Sequence, residues 1–270
     1  MENKRNGIVG TSGPRPVGII CALEVELKDL LAELRDREDV AFNGYEFHCG
    51  RFGEIPAVLV QCGVGKVNAA RGTQMLIDAF GPCCVINSGI AGGTKPGLAI
   101  GDIVIGEDLA QHDFDVTAFG YALGYMCTGE NSSEPTRFTA ESVLVEELEQ
   151  AARTAAPERG VHRGRIVSGD QFISGAEKKK QLREAFNAVC AEMESAAIAQ
   201  TCQYAGVPFG ILRVISDLAD GTAPESYDRF ERTSADLSAA VILEILEKKD
   251  FKKCLSLCLC RACARRERFF

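Results

Sequence analysis

From Val17 onward the chain alternates short apolar runs with longer stretches whose apolar residues recur at helical spacing. VGIICA (17–22) predicts a strand, and LEVELKDLLAELRD (23–36), with Leu23, Leu27, Leu30, Leu31 and Leu34 in register, predicts a helix. YEFHCGRF (45–52) and IPAVLVQC (55–62), separated by Gly53-Glu54, predict a hairpin. KVNAARGTQMLIDAF (66–80) predicts a helix that stops at Gly81-Pro82. A short strand CVIN (84–87), a glycine-rich connection SGIAGG (88–93) and a strand IVIG (103–106) follow.

The second half repeats the alternation. SVLVEELEQAARTAA (142–156) predicts a helix, GRIVSG (164–169) a strand, KKKQLREAF (178–186) a helix, and AVCAEME (188–194) a strand leading into the helix SAAIAQTCQYAG (195–206). GILRVISD (210–217) is the next strand, and RFERTSADLSAAVILEILEKK (229–249) a long closing helix. Such alternation predicts an α/β fold whose sheet, largely parallel, is covered on both faces, with ligands bound beyond the carboxyl ends of the strands.

Composition narrows the class. At 270 residues and 46% hydrophobic content the chain can bury one large core, and a formal charge of −8 argues against a role in neutralising nucleic-acid phosphates. A small-molecule partner is expected. No apolar run approaches the roughly 18 residues that span a bilayer, and the polar start MENKRNGIVGTSGPRP has no signal-like apolar segment. The expectation is a cytoplasmic, soluble protein with a flexible leader at 1–15, one domain over 16–248, and a cysteine-rich basic tail at 249–270 outside the fold. That tail carries Cys254, Cys258, Cys260 and Cys263 at a spacing that fits no standard zinc pattern. The other eight of the 12 cysteines lie in apolar positions such as Cys21, Cys62, Cys84 and Cys190, as reduced core thiols do.

Several familiar motifs fail. VGKV (64–67) has Gly65-Lys66 but lacks the Ser or Thr and the leading glycine spacing of a phosphate loop, and SGIAGG lacks the order of a dinucleotide loop. His48, His112 and His162 fall in unrelated segments. What remains is a set of carboxylates at strand ends: Glu24 and Glu26 after the first strand, Glu192 and Glu194 around Met193, and Asp217 closing ILRVIS. Any one of them is compatible with simple capping of a helix dipole. Three such sites converging on one sheet edge point to chemistry.

These segments carry a resemblance over residues 16 to 248. GIICALEVE (18–26), GVGKVNAA (63–70), VINSGIAGG (85–93), GDIVIGE with DVTAFGY (101–107 and 115–121), IVSGDQFI (166–173), AEMESAAIA (191–199) and RVISDLAD (213–220) stand in the order of one family. The chain resembles the 5′-methylthioadenosine/S-adenosylhomocysteine nucleosidases, within the purine nucleoside phosphorylase-like fold. The resemblance implies a three-layer αβα sandwich with a mixed, largely parallel central sheet. It also implies hydrolysis of the N-glycosidic bond between adenine and a 5′-thio-substituted ribose, with no metal or organic cofactor.

By resemblance, Asp217 is the general acid that protonates adenine at N7, and burial at the end of an apolar strand would favour its protonated form. Glu26 matches the glutamate that orients and activates the attacking water, completing the two-carboxyl logic of inverting glycoside hydrolysis. Glu194 matches the ligand of the ribose hydroxyls, whose charge also favours an oxocarbenium-like transition state. Met193 is expected beside the ribose, Phe172 stacked on adenine, the backbone of Ile173 at the base edge, and Ser216 supporting the base and Asp217. Val64 joins them in the substrate pocket. A packing role remains the alternative for Met193 and Phe172.

The sequence departs from the family at Leu23, where methionine is common, at Ile90, where serine or threonine is common, and at Tyr227, where phenylalanine is common. Leu23 and Tyr227 are expected at the thio-substituent end, Ile90 near water and ribose. Phe119 resembles the residue lent to the neighbouring subunit's 5′ pocket, which implies a homodimer. The strand entering the glycine stretch reads VINSGIAGG, with Asn87 and no arginine near its end. That favours water over phosphate as nucleophile. The rival readings are a phosphorylase or another 6-aminopurine nucleosidase, and, outside enzymes, a nucleoside-binding module. Loss of Glu26 or Asp217 would mark the last, and both are present.

Overall fold

The computed structural model describes residues 14–129, 131–218, 223–248 and 251. The chain begins with β1 (Val17–Cys21), α1 (Glu24–Glu33) and the strands β2 (Arg35–Phe42), β3 (Tyr45–Phe52) and β4 (Ile55–Gln61). Helix α2 (Lys66–Phe80) leads to β5 (Cys84–Gly93) and β6 (Ile103–Gln111), and a single turn over Thr117–Phe119 precedes the short β7 (Phe138–Thr139). Helix α3 (Ser142–Ala155), β8 (Val161–Ser168), α4 (Ala176–Phe186) and β9 (Ala188–Glu192) follow. The last elements are α5 (Ser195–Ala205), β10 (Phe209–Asp217) and α6 (Ala223–Glu247).

All the strands join one mixed sheet. A parallel run β4–β1–β5–β10 forms its centre, and β6–β8–β9 form a second parallel run. The two runs meet antiparallel twice, where β10 pairs β6 and where Gly92 and Gly93 of β5 pair Ala191 and Cys190 of β9. Five strands therefore close into a ring, and β1, β4, β3 and β2 extend from it as an open wing. Closure draws the carboxyl ends of β5, β9 and β10 together. Helix α6 lies on β5 and β10 with α1 and α3 against it, while α2 and α5 pack on each other, completing the three layers.

The central strands are buried along their whole length, so they read as continuous apolar runs. Two expectations need correction. The helix foreseen over 23–36 stops at Glu33: Leu34 is extended, Asp36 has a φ of 51°, and Arg35–Phe42 runs as an edge strand. Its charged, exposed sequence hid it from hydrophobic patterning and is also what guards an edge from further pairing. SGIAGG, foreseen as a loop, is strand throughout, for a reason that lies in the site.

The eight described cysteines are reduced thiols, and no described helix is long and apolar enough to cross a membrane. The leader through residue 13 and the tail cysteines lie outside the described residues. Phe251, beyond the expected boundary at 248, is fully buried in the main core. Phe251→Ala should therefore destabilise the fold by about 3–5 kcal/mol in urea unfolding, the cost of emptying an aromatic site. A change below about 1 kcal/mol would show that residue 251 lies outside the cooperative core.

Candidate active site

Asp217 is placed by an irregularity. Along the parallel pairing of β10 with β5, Ile215 faces Ala91 and Asp217 faces Gly92, so Ser216 is one residue too many and forms a bulge. In a regular strand Asp217 would share a face with Ile215; the bulge re-aims it. Its carboxyl is 2% exposed, and Oδ2 accepts a hydrogen bond from the Ser216 hydroxyl at 3.0 Å. A Cβ on Gly92 would stand 2.9 Å from Asp217 Oδ1.

Glu26 reaches the same place from the first turn of α1. Its Oε2 accepts the backbone N–H groups of Ala22 and Leu23, each at 2.9 Å, and Oε1 accepts that of Ile90 at 3.2 Å. A Cβ on Gly89 would lie 2.5 Å from Glu26 Oε1. The glycines of SGIAGG thus let two carboxylates lie flat on β5, the close approach that glycine within a strand marks. Burial raises the pKa of Glu26, against the pull of Arg213 and the three amides.

The third acidic group is a pair. Glu192, the last residue of β9, is buried against Arg213 of β10, the largest fully buried side chain among the described residues. Arg213 Nη2 donates to Glu192 Oε2 at 2.7 Å and to Asn87 Oδ1 at 2.5 Å. Ser195 donates to Glu192 Oε2 through both its N–H and its hydroxyl, and the Ser168 hydroxyl donates to Oε1. Burial works to raise the Glu192 pKa, but Arg213 and these donors outweigh it and hold it low. Glu194 has no such cation in contact. Its Oε1 accepts the Gly65 N–H at 2.8 Å, and burial together with the Glu192 charge pushes its pKa up to about 8.

Glu26, Glu194 and Asp217 line one cavity of about 400 Å³, within the range of small-molecule sites. Met193, Ser216, Ile90 and Ile173 also line it. Leu23, Val64, Phe172 and Tyr227 complete the wall, with the Phe172 and Tyr227 rings edge to face at 5.7 Å. The Tyr227 hydroxyl donates to Glu231 Oε1 at 2.8 Å. Of the residues foreseen for the site, Phe119 alone is not brought in: it is 77% exposed on the turn at Thr117–Phe119. Among the described residues no group of His, Cys, Asp or Glu is arranged to hold a metal ion.

Sequence reasoning missed Arg213, Asn87 and Ser168, which anchor Glu192. The signal was in view: an arginine inside the apolar run ILRVIS must find a buried acid. The wall itself is one-signed. It carries the carboxylates of Glu26, Glu192, Glu194, Asp217 and Asp228 and, among the described residues, no Lys, Arg or His.

The phosphorylase superfamily model matches residues 16–247. The 5′-methylthioadenosine/S-adenosylhomocysteine nucleosidase of Geobacillus thermodenitrificans is 43% identical over 229 residues, 84% of this chain and 94% of the relative. The chain belongs to this nucleosidase family. The corresponding nucleosidase of an Exiguobacterium species is 41% identical, covering 86% of this chain and 97% of its own length. Among solved structures, the Neisseria meningitidis nucleosidase in complex with methylthio-immucillin-A matches with a TM-score of 0.81 at 41% identity, covering 87% of this chain and 99% of that one. The S-adenosylhomocysteine nucleosidase of Streptococcus pyogenes, in complex with 5-methylthiotubericidin, matches with a TM-score of 0.80 at 37% identity, covering 88% and 98%.

For a nucleosidase of this family, the acidic cavity has a consequence for stability. Folded Glu194 keeps its proton up to about pH 8, whereas its ordinary value is 4.5. A raised pKa in the folded state contributes stability fully below the unfolded value, and that contribution is lost as pH rises through the folded one. Glu26 shifts the same way, Glu192, held low, titrates below this window, and His112, held low by burial, offsets part of the fall at its lower end. The urea midpoint of the ligand-free protein should fall between about pH 5 and about pH 8 and flatten above, with Glu194→Gln removing most of the slope. A slope equal in the variant would assign the effect to other groups.

Proposed function

We propose that this chain hydrolyses the N-glycosidic bond of 5′-methylthioadenosine and S-adenosylhomocysteine, and also of 5′-deoxyadenosine, releasing adenine and the 5-substituted ribose. The observation that carries the reading is the acidic wall. A cavity walled by carboxylates from the ends of β9 and β10 and the start of α1, with no cationic side chain among the described residues, suits a reaction that builds positive charge on its substrate.

In this reading adenine lies against Phe172 with its edge toward the Ile173 backbone, and Asp217, backed by the Ser216 hydroxyl, gives its proton to N7. Glu194 takes the ribose hydroxyls beside Met193. Glu26 holds the water that attacks the opposite face of the sugar, and its three backbone donors fix the carboxylate for that task. Leu23, Val64 and the Tyr227 ring offer an apolar wall to the 5′ substituent. The Ile90 side chain brings no hydroxyl to the water, so orientation of the nucleophile falls to Glu26.

A phosphorylase would have to bring a phosphate dianion to the same wall. Arg213, which bonds the wall residue Glu192, is 2% exposed and committed to Glu192 and Asn87. The charge pattern therefore favours water. Phe119, exposed beside its turn, is suited to enter the pocket of a second copy, which makes the working form a homodimer. The products place the enzyme in methionine salvage and the recycling of S-adenosylmethionine by-products, a cytoplasmic task.

The decisive assay incubates the purified protein with methylthioadenosine, S-adenosylhomocysteine, 5′-deoxyadenosine and inosine, with and without phosphate, and follows free base. Adenine should appear from the first three, independent of phosphate, with no base from inosine. No release from any adenosine derivative would sink the reading, and phosphate dependence would convert it to a phosphorylase. Asp217→Asn should lower turnover by about 10²–10⁴-fold with the fold intact, the usual worth of a positioned general acid. Near-normal turnover would remove Asp217 from the mechanism.

A further inference from the structure

Gly65-Lys66, which fails as a phosphate loop, has another use. The Lys66 ammonium is largely buried at the start of α2 and donates to Asp113 Oδ1 at 2.6 Å and to Gln111 Oε1 at 2.9 Å. It is therefore committed within the protein. The backbone N–H of the same residue donates to Asp170 Oδ1 at 2.8 Å, while Asp113 Oδ2 accepts the Asp170 N–H at 2.9 Å. Gly65, with a φ of +97°, leaves room for Asp170: a Cβ there would stand 3.1 Å from Asp170 Oδ1.

Two arms of this triangle end at the pocket. Gly65 is the residue whose N–H holds Glu194, and Asp170 immediately precedes Gln171, Phe172 and Ile173 of the cavity wall. Asp113 follows the end of β6. Burial works to raise the Asp113 pKa, but Lys66 and the Asp170 amide outweigh it, so its anion is stabilised in place. Charge-assisted bonds of this length are the strong class.

We propose that Lys66, Asp113 and Asp170 form a strut that positions Glu194 and the 171–173 segment for substrate, joining the start of α2 to the ends of β6 and β8. This rests on the nucleosidase reading. The strut touches the groups that hold ribose and base, and it does not touch Glu26 or Asp217. Its loss should therefore raise KM through the loosened 171–173 segment and also lower kcat through Glu194, whose charge serves the transition state.

The test measures KM and kcat for methylthioadenosine, with thermal unfolding, in the wild type, Lys66→Met, Lys66→Arg, Asp113→Asn and the Lys66→Met/Asp113→Asn double variant. Lys66→Met should lower kcat/KM about tenfold or more, with KM raised severalfold, since misplacement by about 1 Å costs up to about 10²-fold. Lys66→Arg should recover part of the loss, and the double variant should be no worse than the worse single, because both break one network. A KM within about twofold of wild type in both single variants would overturn the strut, as would strictly additive losses. A fall in unfolding temperature and active fraction with KM unchanged would also overturn it, as a purely structural role. If Lys66→Met fails to fold, Asp113→Asn, which keeps the side-chain shape, decides by the same KM criterion. Absence of adenine release from the wild type would instead sink the nucleosidase reading and this inference with it.

Discussion

The ion pair of Arg213 with Glu192 is the interaction on which the rest of the site depends. Moving a guanidinium and a carboxylate out of water costs several kcal/mol per ion, and their attraction offsets that only with good geometry and further hydrogen bonds. The structure supplies most of this: Asn87 and the Leu212 carbonyl take other guanidinium donors, Nε alone finds no partner among the described residues, and Ser168 and Ser195 serve the carboxylate. The pair joins β9 to β10 inside the strand ring and lies beneath the cavity. Its positive end then acts on Glu26 and Glu194 as well, lowering both against the burial that raises them. Without a cation at that depth, so many acids at one strand edge would take up protons or push apart. One buried arginine makes an acidic cavity tolerable.

The second constraint is space. Side chains on β5 would collide with the carboxylates that come from its neighbours, and SGIAGG removes them where contact is closest, Gly89 under Glu26 and Gly92 under Asp217. Gly92 and Gly93 also close the ring against β9. The same small residues therefore serve topology and chemistry. A glycine-rich strand normally packs weakly and slips in register. Here β10 pairs it from Ser88 to Gly92 and β9 takes Gly92 and Gly93, while β1 fixes the strand just before it, so the weakness does not express itself.

This explains what was legible in the sequence. Alternation of apolar runs predicts the elements because most of the sheet is buried on both faces, and the carboxylates at strand ends are visible since parallel sheets put ligands there. Their assignment to roles came from resemblance to a family, not from spacing. What stayed hidden was set by pairing at long range. The β2 edge strand carries no apolar signal. SGIAGG has the composition of a loop and becomes a strand only through its partners. The bulge at Ser216 leaves no trace in RVISD, although it decides where Asp217 points. Lys66 resembled a failed motif because its partners, Asp113 and Asp170, lie far along the chain.

The charge state of Glu194 ties these constraints to the proposed reaction. Burial and Glu192 outweigh the pull of Arg213 and hold its pKa at about 8, so its anion is disfavoured. A ribosyl ring that gains positive charge as the bond to adenine breaks reverses that balance, because an opposite charge at contact favours the ionised form. Glu194 is then most fully anionic when the sugar is most cationic. An interaction that strengthens along the reaction coordinate accelerates the chemical step, whereas one equally strong in the bound substrate lowers only KM. The same field acts on the nucleophile with opposite preference: neutral water enters an acidic cavity freely, and a phosphate dianion does not. In this reading hydrolysis and oxocarbenium stabilisation are two results of one electrostatic arrangement, built on the depth at which Arg213 is buried.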